Sequence, residues 1–280
     1  MTRILRNISS NCKYTLRSVR FWAAVAGYLA LLIFATADYY HSGAAVWYLL
    51  RISRSFGSYY FSLVICALPG AALFAEEWCS ERFVFSYLRT GKKEYAVSTI
   101  LSSFLSAFSA AFIGTSLYIG IYSLINPITS DANDIIFAQQ MGGYTNGGLL
   151  YNGHIFAYYL LDVINTSCFM GLFSALATML SAVLTNSYIT VIMPLLMYEI
   201  ISTLFNILSV PLLFNPHYVF SAGNTVIMLL YPSRKITAEN NFTVISMLYP
   251  LIYLLVCLAF ITIIAYFLIK RKYENNSDIR

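Results

Sequence analysis

Residues 96–125 read AVSTILSSFLSAFSAAFIGTSLYIGIYSLI, thirty consecutive positions without a charged side chain. About 20 such residues in a helix cross the hydrocarbon core of a bilayer, so the segment predicts a transmembrane helix. Within it Ser102, Ser106, Ala110 and Gly114 recur at every fourth position, beside Ser103, Ala107 and Ala111. Lipid supplies no hydrophobic force between helices, and a stripe of small residues lets a second helix pack closely instead.

Comparable apolar runs lie near 21–37, 57–75, 155–183, 188–208 and 246–269, so six spans are expected in a single transmembrane domain covering 1–280. The fold class that follows is an all-α membrane protein. Composition agrees: 59% of the 280 residues are apolar and 10% are charged, with a mean hydropathy of +0.69. A soluble domain of this size carries about a quarter charged residues. The five cysteines, Cys12, Cys66, Cys79, Cys168 and Cys257, form no CxxC pair and read as small packing residues. The net charge of +5 does not imply nucleic acid, because the placement of charge in a membrane protein reports its orientation.

Thirteen of the seventeen basic residues fall on one side of the six-span arrangement: Arg3, Arg6, Lys13, Arg17 and Arg20, then Arg82, Arg89, Lys92 and Lys93, then Lys270, Arg271, Lys272 and Arg280. The positive-inside rule then places both termini in the cytoplasm and segments 38–56, 126–154 and 209–245 outside. The first twenty residues are longer than the basic region of a secretory signal. They read as an interfacial helix over 1–20, with Ile8, Cys12, Leu16 and Val19 on an apolar face and Arg6, Lys13, Arg17 and Arg20 mostly on another.

The fourth span repeats the small-residue theme with Gly171, Ser174, Ala175, Thr178 and Ala182. Asp162 and Glu199 stand inside apolar runs, where a carboxylate costs at least ~2.5 kcal/mol near the bilayer centre and needs a partner, a proton or water. Asp162 lies near the outer start of its span, within reach of interfacial water. Glu199 reads as the deeper of the two, after Pro194 and Tyr198, and admits either a buried structural hydrogen bond or a role in gating or a transport path. No P-loop, HExxH or GxSxG pattern is present. Gly91-Lys92-Lys93 lacks the upstream glycine and the Ser or Thr of an ATP site. The expectation is a chain without catalytic residues, metal or cofactor of its own.

Between the second and third spans the chain reads AEEWCSERFVFSYLRTGKKEY over 75–95. The acids Glu76, Glu77 and Glu81 open it, Arg89, Lys92 and Lys93 close it, and Gly91 can end it, as a helix with a compensated dipole requires. Phe83, Val84, Tyr87 and Leu88 share one apolar face, so a short amphipathic cytoplasmic helix is expected.

This set of features resembles the permease subunits of ABC exporters of the type-two permease class. The features are a basic N-terminal helix, six spans, the acid pair Glu76-Glu77, the run Arg89-Thr90-Gly91-Lys92-Lys93 with Tyr95, a small-residue third span and a long external segment before the sixth. The resemblance implies a bacterial cytoplasmic-membrane protein that pairs with a second permease and binds an ABC ATPase subunit, which carries ATP and Mg. It further implies that the segment 76–92, with Glu76, Glu77, Glu81, Arg82, Phe83, Tyr87 and Arg89, couples to that ATPase. A secondary transporter or channel using Asp162 and Glu199 is the alternative, and a membrane-embedded enzyme a more distant one.

Overall fold

The computed structural model describes residues 2–39, 43–54, 58–79, 88–129, 149–150, 153–184, 186–211, 214–221 and 244–277. Among these residues the chain is helical and contains no strand. The helices are α1 (Thr2–Arg17), α2 (Val19–Ala35), α3 (Val46–Ile52), α4 (Ser58–Cys79), α5 (Lys92–Tyr122), α6 (Ile155–Ser181), α7 (Ser187–Ile207), α8 (Pro216–Ser221) and α9 (Val244–Ser277).

Each expected apolar run coincides with a helix. Four described helices, α5, α6, α7 and α9, are long and apolar enough to cross a membrane, and α1 with α2 makes a fifth if the bent pair counts as one span. In α4 the apolar stretch is the shorter Tyr60–Ala71.

The break between α1 and α2 is a 65° bend at Ser18, whose Oγ accepts a hydrogen bond from the Phe21 N–H at 3.2 Å. Ser18 thus caps α2 by satisfying one of the donors a helix start leaves open. The helix expected over 1–20 therefore ends at Arg17, and the next begins at Val19. Its face is also rotated from the expected one. Ile4, Ile8, Asn11, Cys12 and Thr15 turn inward, Leu16 and Val19 are exposed, and α1 packs on α5, where Cys12 meets Ser102.

The centre of the bundle is the pair α5 and α6. Ser102, Ser103, Ser106, Ala107, Ala110, Ala111 and Gly114 are all buried, as are Gly171, Ser174, Ala175, Thr178 and Ala182. The two stripes meet through Ser103 Oγ, 2.9 Å from Ser174 Oγ, and through the Thr178 hydroxyl donating to Ser103 Oγ at 2.6 Å. Hydroxyls thus link helices that small side chains have already brought close. α4 lies against both: a Cβ on Gly70 would sit 2.9 Å from Ser103 Cα, so only glycine permits that approach. The periphery differs. Of the apolar stretch of α6, 83% is buried, against 17% for α7 and 28% for α9, so these two helices show most of their surface outward.

Candidate functional site

At the end of the bundle expected to lie outside, α3 is a buried element within the segment 38–56. Val46, Trp47, Leu49, Leu50 and Ile52 are all buried, and the Val46 N–H donates to Pro127 O at 3.0 Å. The turn after α3 is closed by the Ser53 hydroxyl on Leu50 O and the Ser58 hydroxyl on Ser53 O. This turn aims Arg54 at α6. Its Nη1 and Nη2 donate to Oδ1 and Oδ2 of Asp162, each at 2.8 Å, with side-chain exposures of only 19% and 13%. A planar guanidinium matched to both carboxylate oxygens is the strong form of an ion pair. Asp162 therefore has a fixed counter-charge, contributed from 108 residues away.

Tyrosines and threonines surround the pair. Tyr28 OH lies 3.2 Å from Thr115 Oγ1, the Tyr118 hydroxyl donates to Thr36 Oγ1 at 3.1 Å, and Thr36 Oγ1 lies 3.0 Å from Tyr122 OH. The Tyr159 hydroxyl donates to Ile128 O at 2.7 Å. These contacts tie α2 and its cap Thr36 to α5, and the start of α6 to Ile128 beyond the end of α5. Arg51, on α3, is half-buried, and this loss of water lowers its guanidinium from its ordinary value.

Glu199 is elsewhere. The expectation that it is a buried group is corrected: it is exposed on α7. Thr203 and Asn206 follow it on the same exposed side at helical spacing, so half of α7 presents a polar stripe flanked by exposed Ile200, Leu204 and Ile207. The spacing of four and then three residues from Glu199 to Thr203 to Asn206 is the signal of this stripe in the sequence. No described contact joins Glu199 to Asp162.

At the opposite end, the acid pair closing α4 is held from two sides. Glu76 Oε1 lies 2.8 Å from Arg20 Nη2 at the start of α2, and the Tyr95 hydroxyl donates to Glu77 Oε2 at 3.2 Å from the first turn of α5. Gly91, at φ +96°, adopts a conformation that favours glycine and breaks the helix just before Lys92. Glu81, Arg82, Phe83 and Tyr87 lie outside the described residues. Arg89 is described and exposed. Beside these groups is a cavity of about 740 Å³ between α1, the end of α4 and the start of α5. Arg6, Asn7, Ser10, Asn11, Glu77, Arg89, Thr90, Tyr95 and Ser98 line it, none of them aliphatic.

Comparison of the chain with protein-family models, curated proteins and solved structures gave no match. What the structure defines is a multi-pass α-helical membrane protein with a polar ion-paired cluster at one end and a clamped acid pair beside a polar cavity at the other.

Proposed function

We propose that this chain is the membrane-spanning subunit of an ATP-driven ABC exporter, with six spans, both termini in the cytoplasm and the segment 76–92 as the docking element for a separate ATPase. The observation that carries the reading is the double clamp on the end of α4. Through Glu76–Arg20 and Glu77–Tyr95, any displacement of the segment after α4 pulls on α2 and α5 together. An ordinary connector has no need of bonds to two other helices at its root. The direct experiment is purification of the chain from its native membrane: a P-loop ATPase that copurifies supports the reading, and a functional preparation without one ends it.

The orientation has its own check. In a background freed of native cysteines, cysteines at Ser130 and Thr237 will react with an impermeant thiol reagent applied to intact cells, and one at Ser277 will not. Labelling of Ser277 from outside would invert the topology.

A second copy of the chain, or a homologous permease, covers the outward side of α7 in this reading. A carboxylate facing acyl chains is costly, and Glu199, Thr203 and Asn206 share one exposed stripe, so the stripe faces a partner across a water-filled path. Cysteines at Thr203 and Asn206 will therefore react with a water-soluble thiol reagent, because the reactive thiolate forms in water, and one at Ile200 will stay inert in lipid. Equal inertness at all three positions would assign the stripe to lipid. Asp162, locked to Arg54, is not on this stripe, which separates the two acids that a proton-coupled carrier would need in one relay.

A further inference from the structure

The cavity of about 740 Å³ beside α1 has the size of a small-ligand site and a lining that selects for charge and hydrogen bonding. Arg6 and Arg89 reach it from different elements. Among the described residues neither forms an ion pair, whereas the neighbouring Arg20 is taken by Glu76. One acid, Glu77, lines the same space and accepts the Tyr95 hydroxyl, so the charged lining is one positive charge in excess. Asn7 and Asn11 add neutral donors, whereas the Ser98 hydroxyl is donated to Tyr95 O. Guanidinium groups match the oxygens of a phosphodiester, and the excess charge fits an anion.

The setting identifies the source of that anion. α1 bends 65° away from α2 and exposes Leu5 and Leu16 on one side, with Val19 exposed at the start of α2, an apolar edge that belongs against acyl chains. On the same helix Lys13 and Arg17 line a second, shallower cleft of about 390 Å³ with Tyr14. A helix with apolar residues in the acyl region and basic residues at the headgroup level is placed where anionic lipid is concentrated. We infer that the cavity between α1, α4 and α5 binds the phosphodiester headgroup of an anionic membrane phospholipid, held by Arg6 and Arg89, with Lys13 and Arg17 contributing only general attraction to the surface. The site stands whether or not an ATPase docks nearby.

The test uses the full-length protein in nanodiscs of mixed phosphatidylglycerol and phosphatidylcholine, with retained lipid counted by native mass spectrometry. The wild type will retain phosphatidylglycerol in preference. The Arg6→Gln/Arg89→Gln variant will retain it about tenfold less well, as loss of charge-assisted hydrogen bonds predicts. The Lys13→Gln/Arg17→Gln variant will stay close to wild type. Equal retention by the Arg6/Arg89 variant overturns the site. Excess inorganic phosphate will not displace the lipid, and full displacement would show an anion site that does not depend on lipid, which also overturns the assignment. A measurement on the unaltered protein covers the case of a misfolded variant: phosphatidylglycerol added to the detergent-solubilised chain will raise its melting temperature above that in phosphatidylcholine, and no difference overturns the proposal.

Discussion

Replacing Asp162 by Asn, or Arg54 by Gln, will destabilise the solubilised protein by about 3–5 kcal/mol, a larger effect than any surface charge change in this chain. Both side chains are mostly withdrawn from solvent and make two parallel hydrogen bonds at 2.8 Å. Removing one partner leaves the other charge buried without compensation, and the cost is mainly that of the stranded charge. The same reasoning predicts that the double variant Arg54→Met/Asp162→Leu recovers most of the loss, since neither charge then needs solvation. Unfolding followed by loss of helical signal, in all variants and the wild type, measures this. Were each single variant to fall within about 1 kcal/mol of wild type, the pair would behave as a solvent-exposed ion pair and would not hold its end of the bundle. The structural consequence of the pair is clear from its anchors. Arg54 follows directly on α3, so the pair adds a charged link between α6 and a helix, Val46–Ile52, whose apolar side chains are already buried in the core.

The end of the bundle that carries this pair is the part of the molecule least legible in the sequence. Hydropathy locates the long helices because a charge-free run of twenty or more residues suits the hydrocarbon core of a bilayer and little else. The small-residue stripes at 102–114 and 171–182 likewise point to the contact of α5 with α6, since four-residue spacing puts small side chains on one face. Val46–Ile52 carries no such signal. Seven residues are too few to cross a bilayer, and Arg51 and Arg54 beside them read as external charges, so α3 is lost within a loop. The partner of Asp162 is lost with it, because periodicity describes one helix at a time and carries no information about contacts 108 residues apart. The rotation of α1 has a similar origin. An apolar edge in a membrane protein can turn toward lipid, and here Asn11 and Thr15 turn inward while Leu16 and Val19 turn out. The bend at Ser18 is readable in principle, as a serine three residues before the buried Phe21 is a helix cap, yet it is hidden in a basic run.

On the proposed exporter reading, charge reversal at the root of segment 76–92 will uncouple ATP hydrolysis from transport while sparing ATPase binding, and truncation of its aromatic face will remove the binding itself. The two effects separate because the two sets of residues have different neighbours. Glu77 accepts the buried Tyr95 hydroxyl on α5, and Glu76 meets Arg20 on α2, so Glu76→Lys and Glu77→Lys cut the links from the segment to the spans. Glu77→Lys has the stronger effect, because it also brings a third cation beside Arg6 and Arg89 in a cavity from which it removes the acid. The Arg20–Glu76 pair is about half exposed on both sides and contributes less. Phe83 and Tyr87 lie on the apolar face expected in the sequence, and aromatic anchors at an interface centre commonly cost about 2 kcal/mol or more when truncated. Phe83→Ala/Tyr87→Ala will therefore lower ATPase association at least about thirtyfold, as 2 kcal/mol corresponds to that ratio. Copurification reads the loss of binding, and ATPase activity measured together with cargo movement reads the uncoupling. If the partner remains bound to the Phe83/Tyr87 variant, and hydrolysis in the Glu77→Lys variant still drives cargo at the wild-type ratio, segment 76–92 is a connector and the exporter reading loses the feature that supports it.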